Sequence, residues 1–195
     1  MAYGVSSLFI CEALVMQPQA RHVIIDPYQT SDWKSIGLHH LRQSGYDHMI
    51  EFHEDVSWRV LARLFSEGRK FDFAFIDGCH NYDAVFIDFW FASRMMNAGG
   101  IIVLDDVKFP SVRKVCRYVL RHMPFRVIDA AGQPDPHRSW KWECLDMVKA
   151  IIPNLSQQIF KPEILRPDLE ISRYFSCIAL LKEADTWDYE KFCDF

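Results

Sequence analysis

Residues 71–106 read FDFAFIDGCHNYDAVFIDFWFASRMMNAGGIIVLDD, and their reading decides the fold. Two apolar β-type runs, Phe71–Ile76 and Ile101–Leu104, each end in acid: Asp77 after the first, Asp105 and Asp106 after the second. The segment between them is long enough for one helix, roughly Asp83 to Met96, followed by an Asn97-Ala98-Gly99-Gly100 turn. Strand, helix and strand of that length make a βαβ unit, whose strands must run parallel. Both acidic ends then emerge at one sheet edge, the carboxyl edge where open α/β sheets bind ligands. His80 lies three residues past Asp77 in the loop at that edge. Three carboxylates and an imidazole are therefore expected in one cleft.

Outward from this unit the alternation continues. Upstream, a glycine- and serine-containing turn over residues 1–7 leads into an apolar helix, about Ser7 to Met16, closed by Pro18. A helix N-terminus behind a glycine turn attracts anions or the polar tail of a nucleotide-like ligand. Arg21 to Asp26 reads as a short buried strand ending in acid, and a carboxylate there can accept from both hydroxyls of a ribose. Ser31-Asp32 can cap a helix from about Asp32 to Gln43, which Gly45 ends. His48 to Phe52 reads as a strand, and Ser57 can cap a helix to Ser66, ended by Gly68.

Downstream, Pro110 opens a helix with Val112, Val115, Cys116, Val119 and Leu120 on one face, and Pro124 stops it. Phe125–Ile128 reads as a strand, residues 131–138 as a loop, and Trp140 to Ile152 as a helix. Residues 131–174 as a whole read as an insertion or lid, and Phe175–Leu181 as a final strand. The expected architecture is α/β: a doubly wound sheet in a single domain of 195 residues, helices on both faces.

Composition narrows the function classes. A net charge of -4 gives no global basic field for nucleic acid. No apolar run reaches the ~18 residues of a membrane span, and no basic segment precedes the apolar start, so no signal peptide is read. Six scattered cysteines without a C-x-x-C pair read as free thiols in a reducing compartment, with the cytoplasm as the default.

The acids can bind a hard divalent cation through oxygen, and a cation would lower the pKa of a substrate hydroxyl. His80 could then take the proton. Adjacent strand residues face opposite ways, so Asp105 and Asp106 share a metal only if the chain turns there. The plainer reading is that one aspartate caps a backbone amide and the others are solvated. The aromatic helix with Phe86, Phe89, Trp90 and Phe91 reads as core or as a subunit contact in a homo-oligomer. Asp88 within it reads as solvated or paired, and Arg113, Arg117 and Arg121 as a solvated face.

At this point the chain resembles the class I S-adenosylmethionine-dependent methyltransferases. More narrowly, it looks like the small-domain group with a strand ending F-I-D-G-x-H and a later G-G-x-I-x-x-D-D, which includes sugar and macrolide O-methyltransferases and is similar to cephalosporin-hydroxylase-like proteins. Both motifs stand here, as Phe75 to His80 and Gly99 to Asp106. The resemblance covers roughly residues 1–130 with Phe175–Lys182. It implies a Rossmann-like sheet and methyl transfer to a small-molecule hydroxyl. Gly4, Val5 and Ser6 would hold the methionine part of the cofactor, Asp26 the ribose hydroxyls, and Asp55 and Ser57 would lie near the adenine. Asp77 would border the cofactor and, with Asp105 and Asp106, bind magnesium, and the histidine matching His80 would be the base.

The family's glycine turn, E-x-G-x-x-x-G-x-S, matches only from Gly4 through Ser6, and the central first strand is absent, so the chain reads as N-terminally truncated. Its loss would leave the strands on either side without their shared neighbour. The alternatives are a catalytically dead scaffold, or a metal-dependent hydroxylase or hydrolase using the same acids. A nicotinamide dehydrogenase is disfavoured, because the glycine turn is not G-x-G-x-x-G.

Overall fold

The structure, a computed structural model, describes residues 1–132, 147, 171 and 175–185. The expected helix over 140–152, the lid apart from a few positions, and the tail lie outside the described residues. The chain divides into two compact units, Met1–Phe71 with Phe86–Met95, and Asp72–Val85 with Met96–Phe195.

The first unit holds α1 (Val5–Leu14), β1 (His22–Ile25), α2 (Ile36–Gln43), a 3-10 turn at Asp47–Met49, β2 (Ile50–His53) and α3 (Ser57–Ser66). It also holds most of α4 (Tyr82–Met95). β1 and β2 pair in parallel, from His22 opposite Ile50 to Ile25 opposite His53. Strand periodicity sends Ile24 to one face and Val23 and Ile25 to the other. Ile24 joins Cys11 of α1 and Leu41 of α2 in one cluster, and Val23 and Ile25 pack against Val60 and Leu64 of α3 and Met95 of α4 in another. Helices thus cover both faces of this parallel pair, as the alternation predicts. Among the described residues β2 is the only strand paired to β1.

Of the α4 aromatics, Phe89 is buried in the core, while the half-buried Trp90 and Phe91 stand edge-on to Phe65 of α3.

The second unit holds β3 (Phe71–Ile76) from Asp72 on, β4 (Met96–Leu104), α5 (Pro110–His122), β5 (Phe125–Gly132) and β6 (Phe175–Lys182), in sheet order β3-β4-β6-β5. Asn97 donates to Asp72 at one end of the β3–β4 pair, and the Asp105 N–H donates to the Ile76 carbonyl at the other. Like ends meet, so these two strands run parallel, as the βαβ reading requires. β6 enters antiparallel to both β4 and β5. α5 buries Val112, Val115, Cys116 and Val119, the face its periodicity marks.

Several boundaries differ from expectation for identifiable reasons. α2 starts at Ile36 and not at Asp32, because residues 28–35 fold into turns with Lys34 and Ser35 at positive φ. Its first turn is capped by Gln29, whose Oε1 accepts the Gly37 N–H at 3.0 Å, and not by Ser31 or Asp32. At α3 the cap position falls on Val56, and Ser57 is already helical. The expected turn over residues 97–100 is extended chain that belongs to β4. β5 runs on to Gly132 because β6 keeps pairing with it past two register shifts.

Candidate active site

The carboxyl ends of β3 and β4 build the site, and both belong to the second unit. The hydrogen bond from the Asp105 N–H to the Ile76 carbonyl, 3.1 Å, brings Asp77 beside Asp105 and Asp106. The chain turns at Asp106, whose φ of 54° is left-handed, a conformation that short polar side chains tolerate by local hydrogen bonding. Asp105 supplies that bond: its Oδ1 accepts the Asp106 N–H at 2.8 Å. Val107, fully buried, then donates its N–H to the Ser176 carbonyl of β6 and anchors the loop.

The consequence is a division of labour between the two consecutive acids. Asp77, His80 and Asp106 each offer a ligand atom, all within 4.8 Å of one another. Asp105, expected among the metal ligands, does not join this set. Its charge is still felt. Burial pushes the Asp77 carboxyl above the ordinary carboxylate range, and the Asp105 and Asp106 charges push it further.

His80 is held on several sides. Its ring stacks on Phe109, centroids 4.8 Å apart at 24°. Its carbonyl accepts from the Ser111 hydroxyl. Its Nε2 stands 2.6 Å from Asp106 Oδ2 but outside hydrogen-bond geometry, so that buried nitrogen has no hydrogen-bond partner. Carboxylate oxygens of Asp77 and Asp106 converging beside an imidazole suit a divalent cation. The donor set fits a divalent metal.

Sequence reasoning missed three residues here. Lys108 Nζ pairs with Asp106 Oδ1 at 2.7 Å, Phe109 supports the His80 ring, and Arg113 donates to the Val107 and Lys108 carbonyls. Arg113 is therefore not simply part of a solvated face. The available signal was the Lys108-Phe109-Pro110 run directly after the paired acids.

The first unit carries the remaining predicted residues. Gly4 precedes α1 with φ 82°, and a Cβ there would stand 3.0 Å from the Gly37 Cα and carbonyl oxygen. The fold itself demands this glycine. Val5 and Ser6 are exposed on the first turn. Asp26 is buried: Oδ1 accepts the Tyr28 N–H, and Oδ2 accepts from Gln29 Nε2 and pairs with the Met1 amine at 3.1 Å. Burial raises its pKa, but these hydrogen bonds and the amine outweigh that and hold it below the usual range. The Tyr28 N–H and the Gln29 amide thus fix the orientation of the Asp26 carboxylate.

Asp55, by contrast, lines a cavity of about 430 Å³ together with Phe52, Glu54 and Val60. Ser57 is hydrogen-bonded to the buried Asp88, whose carboxyl is pushed up by burial and held back by that bond. Of the expected cofactor contacts in this unit, Gly4, Asp26 and Ser57 have internal partners. Asp55 also has internal partners, since its Oδ1 accepts the Val56 N–H at 2.8 Å and pairs with Arg59 at 3.4 Å, but it alone of these residues lines the cavity.

A family model described as a methyltransferase domain matches residues 1–107. No curated protein matches the chain. Among solved structures, the chain resembles the O-methyltransferase TomG of Streptomyces achromogenes, involved in tomaymycin synthesis and solved with S-adenosylmethionine. Identity is 16%, the TM-score is 0.61, and the match covers 94% of this chain and 70% of TomG. It also resembles an O-methyltransferase from Bacillus cereus in complex with S-adenosylhomocysteine, at 12% identity and TM-score 0.55, covering 93% of this chain and 84% of that one. A putative O-methyltransferase from Klebsiella pneumoniae matches at 13% identity and TM-score 0.55, covering 92% and 81%. The likeness establishes an α/β, Rossmann-like fold. No helix among the described residues is long and apolar enough to cross a membrane.

Proposed function

The chain belongs to the methyltransferase-domain family, and on that premise we propose that it transfers a methyl group from S-adenosylmethionine to a hydroxyl of a small molecule. The observation that carries the reading is the convergence of Asp77, His80 and Asp106 at the ends of two strands. S-adenosylmethionine supplies an electrophilic methyl. Asp55 and Phe52, in the cavity beside α3, are the residues that fit its adenosyl part.

Asp77 and Asp106 would hold a divalent cation, which supplies Lewis acidity and lowers the pKa of an acceptor hydroxyl. His80 removes the hydroxyl proton at Nε2, the nitrogen left without a hydrogen-bond partner. The stack on Phe109 orients the imidazole and the Ser111 hydroxyl fixes the His80 backbone carbonyl, so little orientation is lost at the moment of proton transfer. Asp105 shapes the turn that aims Asp106 and adds negative charge beside Asp77. The free thiols Cys11, Cys79, Cys116 and Cys177 support action in a reducing compartment.

The test is calorimetric titration with S-adenosylhomocysteine, with and without magnesium, followed by transfer of labelled methyl to a panel of hydroxylated acceptors. Saturable binding is expected. His80→Asn should keep that binding and lose roughly 10²–10⁴-fold in turnover. A protein that binds magnesium but no S-adenosylhomocysteine would sink the proposal and favour a metal-dependent hydrolase or hydroxylase.

A further inference from the structure

Asp106 carries two contacts, one on each oxygen. His80 Nε2 approaches Oδ2 at 2.6 Å, and Lys108 Nζ pairs with Oδ1 at 2.7 Å. The same ammonium lies over the Phe109 ring, 5.4 Å from its centroid, and Phe109 stacks on His80. His80, Asp106, Lys108 and Phe109 thus form a closed ring of contacts. Arg113 holds the backbone carbonyls of Val107 and Lys108, so the lysine backbone is fixed. Its side chain is 60% exposed and free to swing into water.

We propose that Lys108 is the resident counter-charge of Asp106 and sets the affinity of the acidic cleft for a divalent cation, an inference that rests on the cation site proposed above. A cation drawn to Asp77 and Asp106 meets an ammonium already at the second carboxylate. It must share Asp106 with that ammonium or displace it, and in either case it binds against a like charge. Displacing the side chain costs little, because an exposed ion pair contributes little. The repulsion between a double and a single positive charge a few ångströms apart remains, even at high dielectric. Without a cation, Lys108 keeps Asp106 neutralised and the ring closed. With one, Lys108 gives up Oδ1 of Asp106 but, its backbone being fixed, its charge stays within several ångströms of the cation. The cleft is therefore built to hold its metal loosely and exchangeably.

The probe is Mn²⁺, followed by the paramagnetic resonance signal of the free ion, so no turnover is needed. Lys108→Met keeps the length of the side chain and removes its charge. It should bind Mn²⁺ about tenfold more tightly than the wild type, the factor expected for removing one positive charge about 5 Å from a dication in water-like surroundings. Lys108→Arg should stay near the wild type, and Asp106→Asn should lose binding. A melting curve for each variant checks folding, and Lys108→Gln serves as a second neutral variant. Equal or weaker binding by both neutral variants overturns the role of Lys108 and leaves the cation site standing. No binding by the wild type or by either neutral variant removes the cation site itself, and the inference with it.

Discussion

Replacing Gly4 with alanine separates a glycine kept for the fold from one kept for a cofactor. Gly4 has φ 82°, and a Cβ built on it would lie 3.0 Å from the Gly37 Cα, 3.0 Å from its carbonyl oxygen and 3.3 Å from its carbonyl carbon. All three atoms are backbone, so no side chain can move aside. The left-handed conformation costs a non-glycine residue about 1–2 kcal/mol. Overpacking against a rigid neighbour adds about 1–3 kcal/mol. Alanine returns about 0.4–1 kcal/mol by restricting the unfolded chain. The net expectation is a loss of about 2–4 kcal/mol, or roughly 5–15 °C in melting temperature for a chain of this size.

Gly45 is the internal control: φ is 83° and a Cβ there meets nothing within 4 Å. Gly45→Ala carries the conformational cost and the unfolded-state return but no contact, so the difference between the two variants isolates the approach to Gly37. The assay is thermal denaturation by circular dichroism on the cofactor-free protein, with S-adenosylhomocysteine affinity measured in parallel. Equal losses in the two variants would refute the close approach. An undiminished melting temperature for Gly4→Ala with weakened S-adenosylhomocysteine binding would show that the glycine serves the cofactor, as the motif resemblance implies.

Two further outcomes follow from charge. Because the folded pKa of Asp77 lies above its ordinary value, its contribution to stability is fully present below the ordinary carboxylate range and is lost as pH rises through the folded value. Metal-free Asp77→Asn should therefore melt higher than the wild type at pH 7, with the difference vanishing in acid, and a destabilised variant at pH 7 would contradict the repulsion argument. Burial depresses His22 from 6.5 to about 4, and it contacts the Ser7 hydroxyl at 3.1 Å. As pH falls across that window only the unfolded chain takes up the proton, so stability should decline. The decline should be shallower in His22→Gln, which a melting series across the same window measures.

Much of the fold was legible because it rests on local period. The acid-ended apolar runs, the helix between them and the apolar face of α5 each declare themselves within a few turns of chain. The 3.6-residue spacing of Val112, Val115, Cys116 and Val119 needs no knowledge of what they pack against. The βαβ unit then forces Asp77 and Asp106 to one edge whatever the rest of the molecule does. Where a boundary was missed, the deciding partner lay elsewhere in the chain. Gln29 displaces Ser31 and Asp32 as the cap of α2 by reaching eight residues forward. β5 is lengthened by β6, paired across some 50 residues of sequence.

The site divides in the same way. The sequence by itself determined that carboxylates and an imidazole gather at the ends of two parallel strands, because strand direction and helix length leave no other arrangement. Tertiary structure alone decided which of them meet. Whether Asp105 or Asp106 faces His80 depends on a left-handed turn and on the anchoring of Val107 to β6. The close contact of Gly4 with Gly37, the enclosure of Asp26 by Gln29, and the claim of Lys108 on Asp106 depend on where backbones come to rest. Periodicity records which side of an element a residue faces. It does not record the distance to a neighbour, and coordination, ion pairing and steric exclusion are all set by distance.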